Sequence, residues 1–245
     1  MVWLPRWGCD GMITSSQKLL MARAGVSAGV PDVTFVGYDY NVSSGGTLTL
    51  SAYSGMQVGD MLIYVWNGRN GNTDRIAEPS GYTFITGTGS SDNHPTTYTN
   101  YKIAASGDLT ASETYTTSGE DFSITRMLFR GASEIGFVGT MDRVGTGTSN
   151  PSATAGSLTE SSDYIAIFLS GRSSSGTLID TTQGAPTSLT SIVTEQGTGK
   201  YATIVTADNY SAGASTGTQT FYKNTSSYSL ALTAGGFCII GQLVP

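Results

Sequence analysis

The chain is poor in charge and in side chains that carry chemistry. Charged residues make up 12% of it, about half the usual share for a soluble domain. One histidine and two cysteines among 245 residues leave no CxxC pair and no cluster of soft ligands, which argues against a zinc centre or a redox motif. His94 stands in SSDNHPTTY, before a proline and among turn residues, and reads as a loop residue rather than a catalytic base. Cys9 and Cys238 lie near opposite ends. A bridge between them would staple the termini, and two free thiols is the plainer expectation. No apolar run approaches the length of a membrane span. The first thirty residues are broken by Pro5, Arg6, Asp10 and Lys18, so they do not read as a secretory signal or a membrane insert. The net charge is -6, yet those thirty residues hold Arg6, Lys18 and Arg23 against Asp10 alone. The acid therefore lies in the body of the chain, which argues against nucleic acid as a partner.

What is abundant points one way. There are 32 Gly and 13 Tyr, with many Ser, Thr, Val and Ile. Such residues suit pleated surfaces and the turns between them. The one helical signal is ITSSQKLLMARAG, residues 13–25, with Ser15 or Thr14 as a cap, Leu19, Leu20 and Ala24 as an apolar face and Gly25 as a stop. From about Val33 the period changes to two. TFVGYDY, MLIYVW, SITRMLF, YIAIFL, KYATIVTA and GFCIIGQL read as strands, with Gly, Pro, Ser and Asn between nearly every pair. Many short strands at this spacing mean a sandwich or barrel.

The chain also repeats itself. GDMLIYVWNGR (residues 59–69) returns as SDYIAIFLSGR (residues 162–172), each with an Asp followed eight residues later by Gly-Arg. PSGYTFI and then NYKIAASGDLTASETYTTS and DFSITRMLFRGAS follow the first copy. APTSLTSI, KYATIVTADNYSAGASTGTQTFY and SYSLALTAGG follow the second. The expected fold is all-β: an antiparallel sandwich over residues 33–245, built from two pseudo-repeated halves at about 55–135 and 158–240. Residues 1–32 form a separate segment with the short helix. Within GDMLIYVW, Leu62, Tyr64 and Trp66 should alternate with Met61, Ile63 and Val65 across two faces. The Asp-to-Gly-Arg frame sets Ile165, Ile167 and Leu169 opposite Leu62, Tyr64 and Trp66. Two tandem small sandwiches are the alternative architecture.

Gly59-Asp60, Pro79-Ser80-Gly81-Tyr82, Tyr101-Lys102-Ile103-Ala104 and Phe129-Arg130-Gly131 resemble a jelly-roll-like module of tailed-phage structural proteins, in the tail fibre, tail-tip and minor virion class. The last match carries Phe where that module has Tyr. The resemblance covers roughly residues 33 to 243. It implies a non-enzymatic virion component with no catalytic, metal or cofactor residues to carry over. Trp3, Trp7, Leu19 and Leu20 lie outside the resemblance. They are the expected docking residues, because large aromatic anchors dominate interfaces and a basic segment suits an acidic surface. The expected partners are other virion proteins through residues 1–30 and further copies of the same chain, with host-surface glycan as a further contact. A carbohydrate-binding or glycan-cleaving sandwich is the alternative function, and a secreted adhesin module a third.

Other candidate residues have plain readings. Asp60 and Asp163 open strands and are expected to accept backbone N–H bonds from turns rather than to form a glycosidase pair. Arg69 and Arg172 repeat with the frame, which favours structure. Asn70, Asn72 and Asp74 resemble the start of a calcium loop without its later Gly and Glu. Glu120 and Asp121 are adjacent and would point apart on a strand. Trp66, Tyr98, Tyr101 and Tyr210 could stack on sugars, and strand aromatics are mostly core. Asn41, Asn209 and Asn224 head Asn-x-Ser/Thr triplets, which arise by chance in a Ser/Thr-rich chain.

Overall fold

The computed structural model describes residues 33–43, 46–68, 81–88, 96–117, 122–144, 151–173, 177–182, 189–195, 201–224 and 232–241. The N-terminal helix expected at 13–25, together with Trp3, Trp7, Cys9, Leu19 and Leu20, lies outside the described residues. So do Arg69, Asn70, Asn72, Asp74, His94, Glu120 and Asp121.

Sixteen strands are described: β1 (Thr34–Ser43), β2 (Thr47–Leu50), β3 (Met61–Gly68), β4 (Thr83–Thr88), β5 (Thr96–Ile103), β6 (Glu113–Thr116), β7 (Phe122–Arg130), β8 (Ala132–Val138), β9 (Asp142–Val144), β10 (Ser152–Ala155), β11 (Tyr164–Ser173), β12 (Thr177–Thr182), β13 (Thr190–Glu195), β14 (Tyr201–Tyr210), β15 (Gln219–Asn224) and β16 (Leu232–Gly241). A single 3-10 turn, Ser106–Leu109, interrupts them. Every pairing among the described strands is antiparallel.

The winding is the same in both halves. In the first, β1 pairs β7, β2 pairs β6 and β3 pairs β5, so the chain closes on itself from the outside in. In the second, β8 and β9 pair β16, β10 pairs β15 and β11 pairs β14. This nested pairing is the jelly-roll winding. The large sheet of the first half runs β1-β7-β3-β5-β4, and that of the second runs β8-β16-β11-β14-β13, strand for strand in the same order. A small sheet accompanies each: β2-β6 in the first half and β10-β15-β12 in the second.

Layering follows from the burial pattern. All eight residues of β3 are buried, because its sheet is covered on both faces. Met61, Ile63 and Val65 join Ile165, Ile167, Leu169, Val205, Phe237 and Ile239 in one core between the two large sheets. Leu62, Tyr64 and Trp66 turn the other way, into a second core closed by Leu50 and Tyr115 of the small sheet β2-β6. Ala166, Phe168 and Ile204 turn outward from the second half, into a third core with Ala153, Ala155 and Phe221 of the other small sheet. The described residues therefore form four layers with three cores. Two halves pressed face to face was the expectation, and the shared core bears that out. Each half is in addition a small sandwich in its own right, because its outer face carries apolar side chains that need their own cover.

The repeat frame needs a correction of one residue. β4 and β13 each carry a bulge, between Phe84 and Thr86 and between Ser191 and Val193. The bulged residues are Ile85 and Ile192, 9% and 8% exposed and both in the shared core. Counting the ladders across from these matched bulges brings Met61 onto Ile165, not onto Tyr164. Ile165, Ile167 and Leu169 thus correspond to Met61, Ile63 and Val65, not to Leu62, Tyr64 and Trp66. A one-residue shift turns every side chain to the opposite face, so burial decides against the Asp-to-Gly-Arg alignment. PSGYTFI against PTSLTSI holds without adjustment.

The two halves also meet through polar groups. Asn67 Nδ2 donates to Thr203 Oγ1 at 2.6 Å, Thr97 Oγ1 donates to Asn67 Oδ1 at 2.7 Å, and the hydroxyls of Thr97 and Thr233 lie 2.7 Å apart. All four residues are fully buried. At one edge Tyr38 Oη donates to Glu195 Oε1 at 2.8 Å.

Candidate functional site

The densest chemistry in the described residues lies in the outer core of the first half, around Glu113. Register places its neighbours. Asp39, Arg126 and Tyr64 stand side by side across β1, β7 and β3, and Leu62 stands beside Lys102. Glu113 comes down onto this surface from the start of β6. Its Oε2 accepts from Tyr64 Oη at 2.8 Å and Tyr115 Oη at 3.1 Å, and its Oε1 accepts from Lys102 Nζ at 2.5 Å and from Tyr82 Oη. Arg126 Nη1 stands 3.8 Å from Oε2. Lys102 also donates to Asp108 Oδ1 at 2.8 Å and lies 4.8 Å from the centre of the Tyr82 ring. Arg126 grips Asp39 through Nε at 3.2 Å and Nη2 at 2.5 Å, donates to the Ser51 carbonyl at 2.8 Å and faces the Tyr53 ring.

Lys102 and Arg126 are 8% and 3% exposed. Charges so deeply placed are tolerated only when paired. Burial pushes the Glu113 carboxyl up, but donation from Lys102, Tyr82 and Tyr64 outweighs it, and the group sits below the ordinary carboxylate range. Asp108 is likewise lowered: burial opposes, and Lys102 and the Ala105 N–H prevail. Burial raises the phenols of Tyr64, Tyr82 and Tyr115 far above their usual range, and the Glu113 carboxylate adds to it in each. Arg126 is raised as well, since Asp39 overcomes the burial that would lower it.

A carboxylate engaged by four donors is stabilised as an anion and is a weak proton acceptor. The tyrosines donate to it and are far from ionising. The group can therefore hold layers together far better than it can move a proton. It joins β1, β7, β3 and β5 to β6, so one cluster ties the small sheet to the large one.

The sequence-predicted residues are placed as follows. Asp60 is buried, accepts the Gln57 N–H at 2.8 Å from the turn before it, and takes a two-pronged grip from Arg130 at 2.9 Å through each nitrogen. Asp163 accepts the Ala212 N–H at 2.8 Å, from a turn after β14 rather than before its own strand. Each is engaged within its own half, Asp60 by Arg130 and Asp163 by the Ala212 N–H. Trp66 is buried and stacks on Tyr98 at 5.5 Å, Tyr210 stacks on Tyr164 at 5.5 Å, and Tyr101 packs against the shared core. Cys238 is a free thiol, buried in the outer core of the second half, and burial raises it to about 12. Arg172 is 2% exposed. Among the described residues no three His, Cys, Asp or Glu side chains gather as metal ligands would.

Sequence reasoning missed Lys102, Glu113 and Arg126. A signal was present. In FSITRMLF the apolar set Phe122, Ile124, Leu128 runs in phase with Arg126, and Lys102 falls in phase with Tyr98. A cation in step with the buried face of a strand must meet an anion there. No family model, curated protein or solved structure matches the chain.

Proposed function

We propose that the protein is a non-enzymatic structural component of a bacteriophage virion: a tail-fibre, tail-tip or capsid-decorating appendage that docks through residues 1–30 and contacts copies of itself and other virion proteins. The observation that carries the non-enzymatic part is the commitment of charge to internal ties. Glu113, Asp108, Asp39 and Asp60 are each bound to a buried or strand-borne cation, as a load-carrying block requires. The assignment to a virion rests on the resemblance of the Gly59-Asp60, Pro79–Tyr82 and Tyr101–Ala104 segments, and the doubled jelly-roll winding is in keeping with it.

Mass spectrometry and immunogold labelling of purified particles from the source of the sequence test this reading. The protein is expected in the particle at a regular position, and a chain beginning at Val30 is expected to fold yet be missing from it. Recovery of the full chain only in the soluble fraction, or turnover of host polysaccharide by the purified protein, would overturn the reading.

A further inference from the structure

Three arginines on the strands of the large sheets differ in their surroundings. Arg126 faces Asp39, and Arg130 faces Asp60. Arg172, the last residue but one of β11, faces no carboxylate among the described residues. It is 2% exposed, and its Nε and Nη1 find no hydrogen-bond partner among the described residues. Its cross-strand neighbours are Ala202 and Leu232, which offer no side-chain acceptor. Its chain neighbour Gly171 lies directly against Asn67 and Thr97 of the first half, so Arg172 lies near the boundary between the halves, with the Tyr40 phenol close enough to influence it. Burial lowers its affinity for its proton, but a guanidinium does not become neutral in a protein. A buried cation that keeps its charge and finds no partner among the described residues is strongly unfavourable.

We propose that Arg172 holds a small inorganic anion of the chloride class, close to the junction of the two halves. The anion accepts the N–H groups that the protein leaves open and cancels the buried charge. It binds the folded chain alone, so it stabilises the fold by mass action.

The experiment is thermal unfolding of the full chain in sodium chloride and in sodium gluconate at equal ionic strength. Chloride is expected to raise the melting temperature in a saturable way, by about 2–4 °C, where the bulky gluconate does not. Arg172→Met is expected to abolish the difference, and Arg172→Lys to keep part of it. In a crystal grown with bromide, an anomalous peak is expected beside the guanidinium. Coincident melting in the two salts, or an equal chloride response in Arg172→Met, overturns the proposal. Should Arg172→Met fail to fold, the wild-type salt comparison and the bromide peak decide alone, and absence of either overturns it.

Discussion

The outer cores of the two halves occupy equivalent places in the same winding, and their chemistry differs completely. Between β2-β6 and its large sheet stand Tyr64, Tyr82, Tyr115, Glu113, Lys102 and Arg126, bound together by hydrogen bonds and ion pairs. Between β10-β15-β12 and its large sheet stand Ala153, Ala155, Ala166, Ala234, Phe168, Phe221, Leu232 and Cys238. The first solution relies on directed polar bonds, and the second on apolar side chains, alanines packed against Phe168, Phe221 and Leu232. The second also has three strands in its small sheet, whereas two are described in the first. One winding therefore tolerates either way of fastening its cover. What the two halves must share is the surface where they meet, and there the repeat is closest: Ile85 and Ile192 sit on matched bulges.

The comparison can be broken most directly by removing the centre of each core. Glu113→Ala leaves Lys102 and Arg126 short of an anion, and a loss of about 3–5 kcal/mol in urea unfolding is expected. Phe221→Ala opens a cavity and should cost a comparable 3–5 kcal/mol or so. The two losses should separate with pH: the first shrinks in acid, where Glu113 becomes protonated, and the second does not. A loss below about 1 kcal/mol for Glu113→Ala, the range of exposed pairs, would mean that the polar cluster fastens nothing.

A smaller effect tests the junction. A Cβ on Gly171 would stand 2.0 Å from Asn67 Oδ1 and 2.6 Å from Thr97 Oγ1. Gly171→Ala should destabilise by about 1–3 kcal/mol and loosen the clasp between the halves, read as faster amide exchange at Asn67 and Thr203. Unchanged exchange would separate the junction from the clasp.

The pH profile sharpens the contrast further. Glu113 and Asp108 titrate below their unfolded values, so their contribution is complete above about pH 4.3 and is lost as the pH falls through the lowered values. Tyr38 and Tyr53, both raised to about 12 chiefly by burial, contribute below about pH 10 and lose that contribution as the pH climbs towards 12. Glu113→Gln should flatten the acid limb of the unfolding curve. An acid limb identical to that of the wild type would place the acid sensitivity elsewhere.

The smallest effect belongs to the apolar core. Cys238 is fully buried, with its thiol raised to about 12, so it should resist thiol reagents until the protein unfolds. Cys238→Ala should cost roughly 1 kcal/mol. Prompt labelling of Cys238 in the folded protein would show that this core opens.

Much of the fold was legible in particular residues. The run MLIYVW predicted a strand, and the alternation of Met61, Ile63 and Val65 with Leu62, Tyr64 and Trp66 across two faces was readable from period two alone; that both faces are buried was not. PSGYTFI and PTSLTSI were paired as corresponding parts of the repeat, and the structure puts a bulge at the last Ile of each. The Asp-to-Gly-Arg frame misled by one residue, because Asp60 and Asp163 make different turn contacts and so need not occupy equivalent places. The cluster at Glu113 was hidden for another reason. ETYT reads as an exposed polar strand, and the cations that claim its carboxylate come from strands 11 and 13 residues away.

By itself, then, the sequence determined strand periodicity, the apolar faces, the duplication and the scarcity of reactive groups, since these depend on neighbours along the chain. The tertiary structure decided which copy of a residue faces which core, that the halves share one core and each keep another, and which charges meet. Those depend on register and on long-range pairing. A shift of one residue, or a partner brought from a distant strand, changes the environment of a side chain without changing a letter near it.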